Sequence, residues 1–154
     1  MAITLSDEQK SALFSILSFL EDEKDRQVFT LHGLAGTGKT TVLSHVAEEF
    51  PYSLLCTLTG KAASVLRRKT DLPAMTIHAA FYKLVGQQMD KAGNVRPIFD
   101  ESRHYEELSG QFLLLDECSM VNHSMAQDIL RTGVKIIACG DPGQLPPIEG
   151  TPVF

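Results

Sequence analysis

Apolar residues fall along this chain in two alternating rhythms. Behind Ser6-Asp7-Glu8-Gln9, residues Leu13, Ile16, Leu17 and Leu20 recur at three- and four-residue steps, the stripe of a helix with one hidden face. Ser6 is placed to cap that helix and Gln9 to close a capping box. A polar connector over 21–27 leads into Val28-Phe29-Thr30-Leu31, a short apolar run that reads as a buried strand. Helical spacing returns with Val42, Leu43, Val46, Ala47 and Phe50 and stops at Pro51. Residues 53–58 read as a second strand, 59–68 as a turn into a helix, and Thr76-Ile77-His78 as the start of another helix carrying Ala79, Ala80, Phe81 and Leu84. Phe112 to Leu115 and 134–139 complete four strands. A helix over 119–131 lies between the last two, with Val121, Met125, Ile129 and Leu130 facing inward. Strands alternating with helices predict an α/β domain with a mostly parallel sheet. Each strand is followed by a polar motif, which places the expected site at the carboxyl edge of the sheet.

One stretch breaks the rhythm. Asp90-Lys91-Ala92-Gly93-Asn94 is a turn cluster between two short runs containing Val and Ile. It predicts a hairpin over 85–99, and the polar run 100–110 extends it into a surface insertion spanning 85–110.

Composition narrows the class. With 154 residues, 44% hydrophobic and 21% charged, the chain suits one soluble domain with a real core. No apolar run approaches a membrane span and no signal peptide is visible, so the expected location is cytoplasmic. Cys56, Cys118 and Cys139 are scattered and odd in number, a pattern of reduced thiols and not of a disulfide frame or zinc site. A formal charge of −5 confines any nucleic-acid contact to a local patch. The turn-rich end, 146–154, reads as a cut chain or a domain boundary.

The chemistry is concentrated in Gly33-Leu34-Ala35-Gly36-Thr37-Gly38-Lys39-Thr40-Thr41. It fits the phosphate-binding pattern G-x-x-x-x-G-K-[ST], and it stands between a strand and a helix as that pattern requires. Glycines let backbone N–H groups close around phosphate oxygens. Lys39 is expected on the terminal phosphates and Thr40 on Mg²⁺, with the helix N-terminus facing the same anion. Asp116 and Glu117 end the third strand. Paired carboxylates there need partners, and Mg²⁺ at Asp116 with an attacking water at Glu117 supplies them. The basic residues Lys61, Arg67, Arg68 and Lys69 read either as a solvated helix face or, with Thr59 and the helix N-terminus at Lys61, as a contact to a phosphate backbone. His78 has no second histidine at metal spacing, so a metal role is rejected.

Together these motifs resemble the first RecA-like motor domain of superfamily 1 DNA helicases, in the RecD/Dda-like branch. The likeness spans nearly the whole chain, and its most specific stretches are Asp116-Glu117-Cys118-Ser119-Met120 and Gly140-Asp141-Pro142-Gly143-Gln144-Leu145-Pro146-Pro147. The resemblance implies a single RecA-like, three-layer phosphate-loop NTPase domain over 1–154 with ATP and Mg²⁺ as cofactors. It implies that Gln9 reads adenine. Gly33, Gly36, Thr37, Gly38, Lys39, Thr40 and Thr41 would hold the phosphates, and Thr40 and Asp116 the metal. Glu117 would activate water and Gln144 would sense the γ-phosphate, with Lys39, Glu117 and Gln144 as the catalytic set. It implies contact of Thr59, Lys61 and His78 with single-stranded DNA, and a duplex-splitting pin at the inserted hairpin. Two departures stand out. Thr57-Leu58 replaces the usual Ala-Pro, and Cys118 occupies a slot where a small or aliphatic residue is more usual.

The family's second RecA-like domain, which supplies arginines to the ATP site, has no counterpart in these residues. The expected function is therefore the ATP-binding half of a 5′→3′ DNA helicase, completed by a second RecA-like domain or a partner chain. A stand-alone module that docks on a helicase, nuclease or DNA is the alternative. A small-molecule kinase is a third reading, disfavoured by the 140–147 motif and by the lack of a lid segment.

Overall fold

Five strands pair in parallel in the computed structural model, which describes residues 4–22, 26–100, 111–141 and 143. The elements run α1 (Asp7–Glu21), β1 (Val28–His32), α2 (Lys39–Glu49), β2 (Leu54–Thr57), α3 (Gly60–Thr70), β3 (Ala74–Thr76), α4 (Ile77–Phe81), β4 (Lys83–Met89), β5 (Val95–Asp100), β6 (Phe112–Leu115), α5 (His123–Arg131) and β7 (Lys135–Gly140). The sheet order is β1-β7-β6-β2-β3, and β4 and β5 form a separate antiparallel ribbon.

Strand side chains alternate between faces, and here both faces are covered. Leu55, Leu114, Ile137 and Cys139 pack under Ile16, Phe19 and Leu20 of α1, Val42, Leu43 and Val46 of α2 and Leu66 of α3. Cys56, Leu113, Leu115, Ile136 and Ala138 pack under Ile77, Ala80 and Phe81 of α4 and Met125, Ala126 and Ile129 of α5. The result is the expected three-layer α/β domain. Among the described residues no helix is long and apolar enough to cross a membrane.

Polar clasps fix the layers. Ser6 and Gln9 form the expected capping box. The ammonium of Lys135 donates to the carbonyls of Phe19 at 2.8 Å, Leu20 at 3.1 Å and Asp22, and lies 5.2 Å from the Phe19 ring centre. It satisfies the orphan carbonyls at the end of α1. Gln27 donates to the carbonyls of Leu130 at 2.8 Å and Val134 at 3.1 Å, joining the connector before β1 to the turn before β7.

Four expectations change. The sheet has a fifth strand, β3, which the pattern concealed: it is three residues long and runs straight into α4. The α4 helix stops at Phe81, and Leu84 sits exposed in β4. The hairpin therefore starts at Lys83, before the expected 85, and β5 closes it at Asp100; 101–110 lie outside the described residues. The helix expected over 119–131 is two pieces. A 3₁₀ turn at Cys118–Met120 packs Cys118 into the core, and α5 begins only after Asn122, whose side chain caps it through Met125 N–H at 3.0 Å.

Candidate functional site

The loop after β1 is built around a left-handed glycine. Gly38 has φ 85°, and a Cβ there would lie 2.0 Å from the side-chain nitrogen of Gln9. The conformation favours glycine, and any side chain there would have to displace the Gln9 amide from the loop. The Gln9 amide donates to the Thr37 carbonyl at 3.1 Å while its oxygen accepts from Ser6 N–H at 2.9 Å. The capping role and a position on the phosphate loop thus coexist in one side chain. Within the loop, Thr37 Oγ1 donates to the Leu34 carbonyl at 2.9 Å. Lys39 Nζ folds back onto the carbonyls of Gly33 at 2.5 Å and Leu34 at 2.9 Å.

The loop is tied to the sheet through β7. Gly33 N–H donates to the Gly140 carbonyl at 3.2 Å, so β7 separates the loop from β6 by one strand. Gly140 cannot carry a side chain, because its Cβ would meet Cys118 Sγ at 2.8 Å. Across this gap Thr40 Oγ1 donates to Asp116 Oδ2 at 2.8 Å. The other oxygen, Oδ1, accepts from the N–H of Glu117 at 3.0 Å, and Asp116 N–H donates to the Cys56 carbonyl at 2.9 Å. Glu117 itself has φ 58°, a left-handed conformation rare for a residue with a side chain.

Three hollows surround these groups. One of about 300 Å³ is lined by Thr40, Thr57, Thr59, Lys61, Lys69, Asp116 and Glu117 among others. A second of about 270 Å³ runs along Gly36, Gly38, Lys39, Thr40 and Thr41, again with Lys69 on its wall. A third of about 200 Å³ lies between α1 and the loop, lined by Glu8, Gln9, His32, Gly33, Thr37 and Lys39. Lys69, exposed as a solvated basic face would have it, also borders two of these hollows. The end of α3 carries it beside Thr40, a placement set by long-range packing that no local pattern signals.

The donor set suits a cation that arrives with its own ligands. Among the described residues there is no cluster of three His, Cys, Asp or Glu that could hold a metal. Thr40 and Asp116 alone offer a hydroxyl and one carboxylate, the share that a protein usually gives to Mg²⁺ when phosphates and waters supply the rest.

The expected DNA-contact residues separate. Thr59 caps α3, its Oγ1 accepting from Ala62 N–H at 3.2 Å, which leaves its O–H free to donate. Thr59 and Lys61 stand on the wall of the same hollow as Asp116. His78 lies apart on α4, its ring 5.3 Å from Tyr82, whose hydroxyl donates to Asp128 at 2.8 Å. Gln144 lies outside the described residues. The Cys118 thiol, fully buried, is pushed up to about 11, first by burial and then by the Asp116 charge. Nucleophilic reactivity there is suppressed.

Comparison with known proteins follows the same lines. Residues 4–154 match the AAA domain family. The ATP-dependent DNA helicase dda of Enterobacteria phage T4 is 27% identical over 153 residues, covering 94% of this chain and 33% of that protein. A structure of two coordinating Pif1 helicases unwinding forked double-stranded DNA superposes with a TM-score of 0.66 at 25% identity, covering 96% of this chain and 36% of that one. The Pif1 helicase from Bacteroides in complex with ADP-AlF3 and single-stranded DNA gives a TM-score of 0.61 at 24% identity, over 96% and 34%. The chain spans about a third of the length of each. It belongs to the AAA domain family, as a RecA-like phosphate-loop domain of the Pif1/Dda-like superfamily 1 helicase type.

Proposed function

We propose that this chain is the ATP–Mg²⁺-binding motor domain of a 5′→3′ DNA helicase, and that a second RecA-like domain completes it. The observation that carries this reading is the 2.8 Å hydrogen bond from Thr40 to Asp116, with Glu117 next in sequence. It joins the phosphate loop to the carboxylate pair in one site.

In the proposed site, backbone N–H groups of the loop and the N-terminus of α2 receive the phosphates. Lys39 exchanges the carbonyls of Gly33 and Leu34 for phosphate oxygens. Gln9, already on the loop, presents its amide to adenine. Mg²⁺ at Thr40 and Asp116 would neutralise charge developing on the phosphates. Glu117 accepts the proton of the attacking water, and Gln144 reports the γ-phosphate. Single-stranded DNA runs along the carboxyl edge of the sheet, from Thr59 and Lys61 after β2 to the separate His78 on α4 after β3, and the ribbon of β4 and β5 acts as the pin that parts the duplex.

The decisive test is nucleotide binding and turnover by the purified chain, with and without single-stranded DNA, beside Lys39→Ala. The parent is expected to bind ATP–Mg²⁺ and Lys39→Ala to lose at least about tenfold in affinity. Turnover should stay slow without the second domain, because an arginine supplied from outside is worth about 10³ or more in rate. Equal binding by the parent and Lys39→Ala would refute the site. Efficient unwinding by the chain alone would refute the need for a second domain.

A further inference from the structure

One buried hydroxyl at this edge has no assigned work. Thr57 ends β2, where Cys56 pairs with Leu115, so Thr57 is the β2 neighbour of Asp116. Alternation places Thr57 on the face of Leu55 and Asp116 on the face of Leu114, both toward α1, α2 and α3. Thr57 is 1% exposed, and its Oγ1 has no hydrogen-bond partner among the described residues. Buried side-chain hydroxyls almost always have one. Two other buried polar atoms, Ser53 Oγ and Gln111 Oε1, share that condition, but neither lines the hollows around the phosphate loop. Thr57 does, together with Thr40, Asp116 and Glu117. It also stands where the resemblance expects alanine, a side chain that needs no partner at all.

We propose that Thr57 is a positioning residue for hydrolysis, its Oγ1 holding the attacking water beside Glu117. The inference rests on the reading of Glu117 as the proton acceptor. A water with one hydrogen on the Glu117 carboxylate and the other on Thr57 Oγ1 has a lone pair fixed in direction. Held by Glu117 alone it can still turn, and orientation is a large part of what such a site contributes. In the step itself the water oxygen bonds to the γ-phosphorus. The bond from that phosphorus to the bridging oxygen breaks, and its electron pair leaves with ADP. The proton passes to Glu117, while Thr57 keeps its own.

The test compares the parent with Thr57→Val, which keeps the shape and removes the hydroxyl, and Thr57→Ser, which keeps the hydroxyl. Dissociation constants are measured for ADP and for ADP with aluminium fluoride, both across a Mg²⁺ titration, with Lys39→Ala as control. Thr57→Val is expected to melt no lower than the parent, since it removes an unpartnered buried polar atom. It should bind ADP within about twofold of the parent and lose about tenfold for the aluminium fluoride complex, which mimics the transferring phosphoryl group. Thr57→Ser should restore that affinity. An unchanged ratio of the two affinities in Thr57→Val overturns the proposal. So does a shift in the Mg²⁺ midpoint that is equal for both ligands, which would assign the hydroxyl to a metal-bound water. If Lys39→Ala binds ADP as the parent does, the nucleotide site itself is wrong, a failure distinct from that of Thr57.

Discussion

The five-stranded sheet and the two-stranded ribbon are both β-structure, yet they are held together differently. In β6 and β7 nearly every residue is buried, and the apolar side chains of both faces meet helices. In β4 six of seven residues are exposed, and Leu84, Val85, Met89, Val95 and Ile98 show their side chains to solvent. The ribbon relies on its turn. Asp90 Oδ1 accepts from the N–H groups of Ala92 and Asn94 at 2.9 Å each, Gly93 takes φ 83°, and Arg96 lies 3.5 Å from Asp90. A lone two-stranded ribbon is marginal in water. The proposed catalytic groups Lys39 and Glu117 follow strands of the buried sheet, where a small displacement is costly. An element meant to meet a bulky partner can sit on the compliant one.

Paired core and ribbon truncations should give the largest contrast. Ile137→Ala opens a cavity between sheet and helices and is expected to cost about 2–5 kcal/mol, whereas Ile98→Ala should stay within about 0.5 kcal/mol. Denaturant unfolding measures both, and equal costs would end the distinction between the two regions.

Alkaline pH should come next, acting on three thiols buried in the sheet and in the 3₁₀ turn packed against it. Cys56 is pushed up to about 12 by burial, Cys118 to about 11, and Cys139 well above the usual 9.0, all chiefly by desolvation. Above pH ~9 the unfolded chain loses these protons while the folded one keeps them, so stability must fall as pH rises, by up to about 1.4 kcal/mol per unit for each thiol. Melting temperature from pH 8 to 10 should drop in the parent and less steeply in Cys56→Ala. A parallel decline would deny the thiols this role.

The Lys135 clasp is a smaller effect on the same body. Lys135→Met removes the donor to three carbonyls at the end of α1 and is expected to cost about 1–2 kcal/mol. Finest of all is Asp90→Ala. Hydrogen bonds from Asn94 hold the Asp90 carboxyl below its usual range, so its contribution is present above the unfolded pKa and fades as pH falls through the folded one. The substitution should speed hydrogen exchange in the ribbon and leave the global melting temperature unmoved. A global shift would mean that the two regions unfold as one.

Legibility followed the range of the interactions. The phosphate loop could be read directly because its glycines and Lys39-Thr40 answer to one fixed phosphate geometry within nine residues. The capping box at Ser6 and Gln9 was equally local, and the buried faces of β6 and β7 spelled themselves in runs of Leu, Ile and Val. What escaped had no local signature. Ala74-Met75-Thr76 is too short to show a period, and Thr76 doubles as the cap of α4. Leu84 looked like one more helical apolar residue because exposure in a ribbon is not written in residue type. Phe19, deep in the core, lay outside the stripe drawn through Leu13 and Leu17, which are only half-buried. Lys69 and Thr57 gained their positions from the way α3 and β2 pack beside α2 and β6.

Strand order also sets a clock. The β1 strand pairs with β7, Val28 with Ile136 through His32 with Gly140. On a ribosome, the phosphate loop is synthesised about a hundred residues before the strand that anchors it. At roughly 5–20 residues per second, Gly38 waits about 5–20 s for Gly140. During that interval the loop has its helix but not its sheet neighbour, and the Gly33 N–H lacks its acceptor. The first motif made is therefore among the last to become able to grip a phosphate, so a nascent chain gains its nucleotide only when the opposite end of the domain arrives.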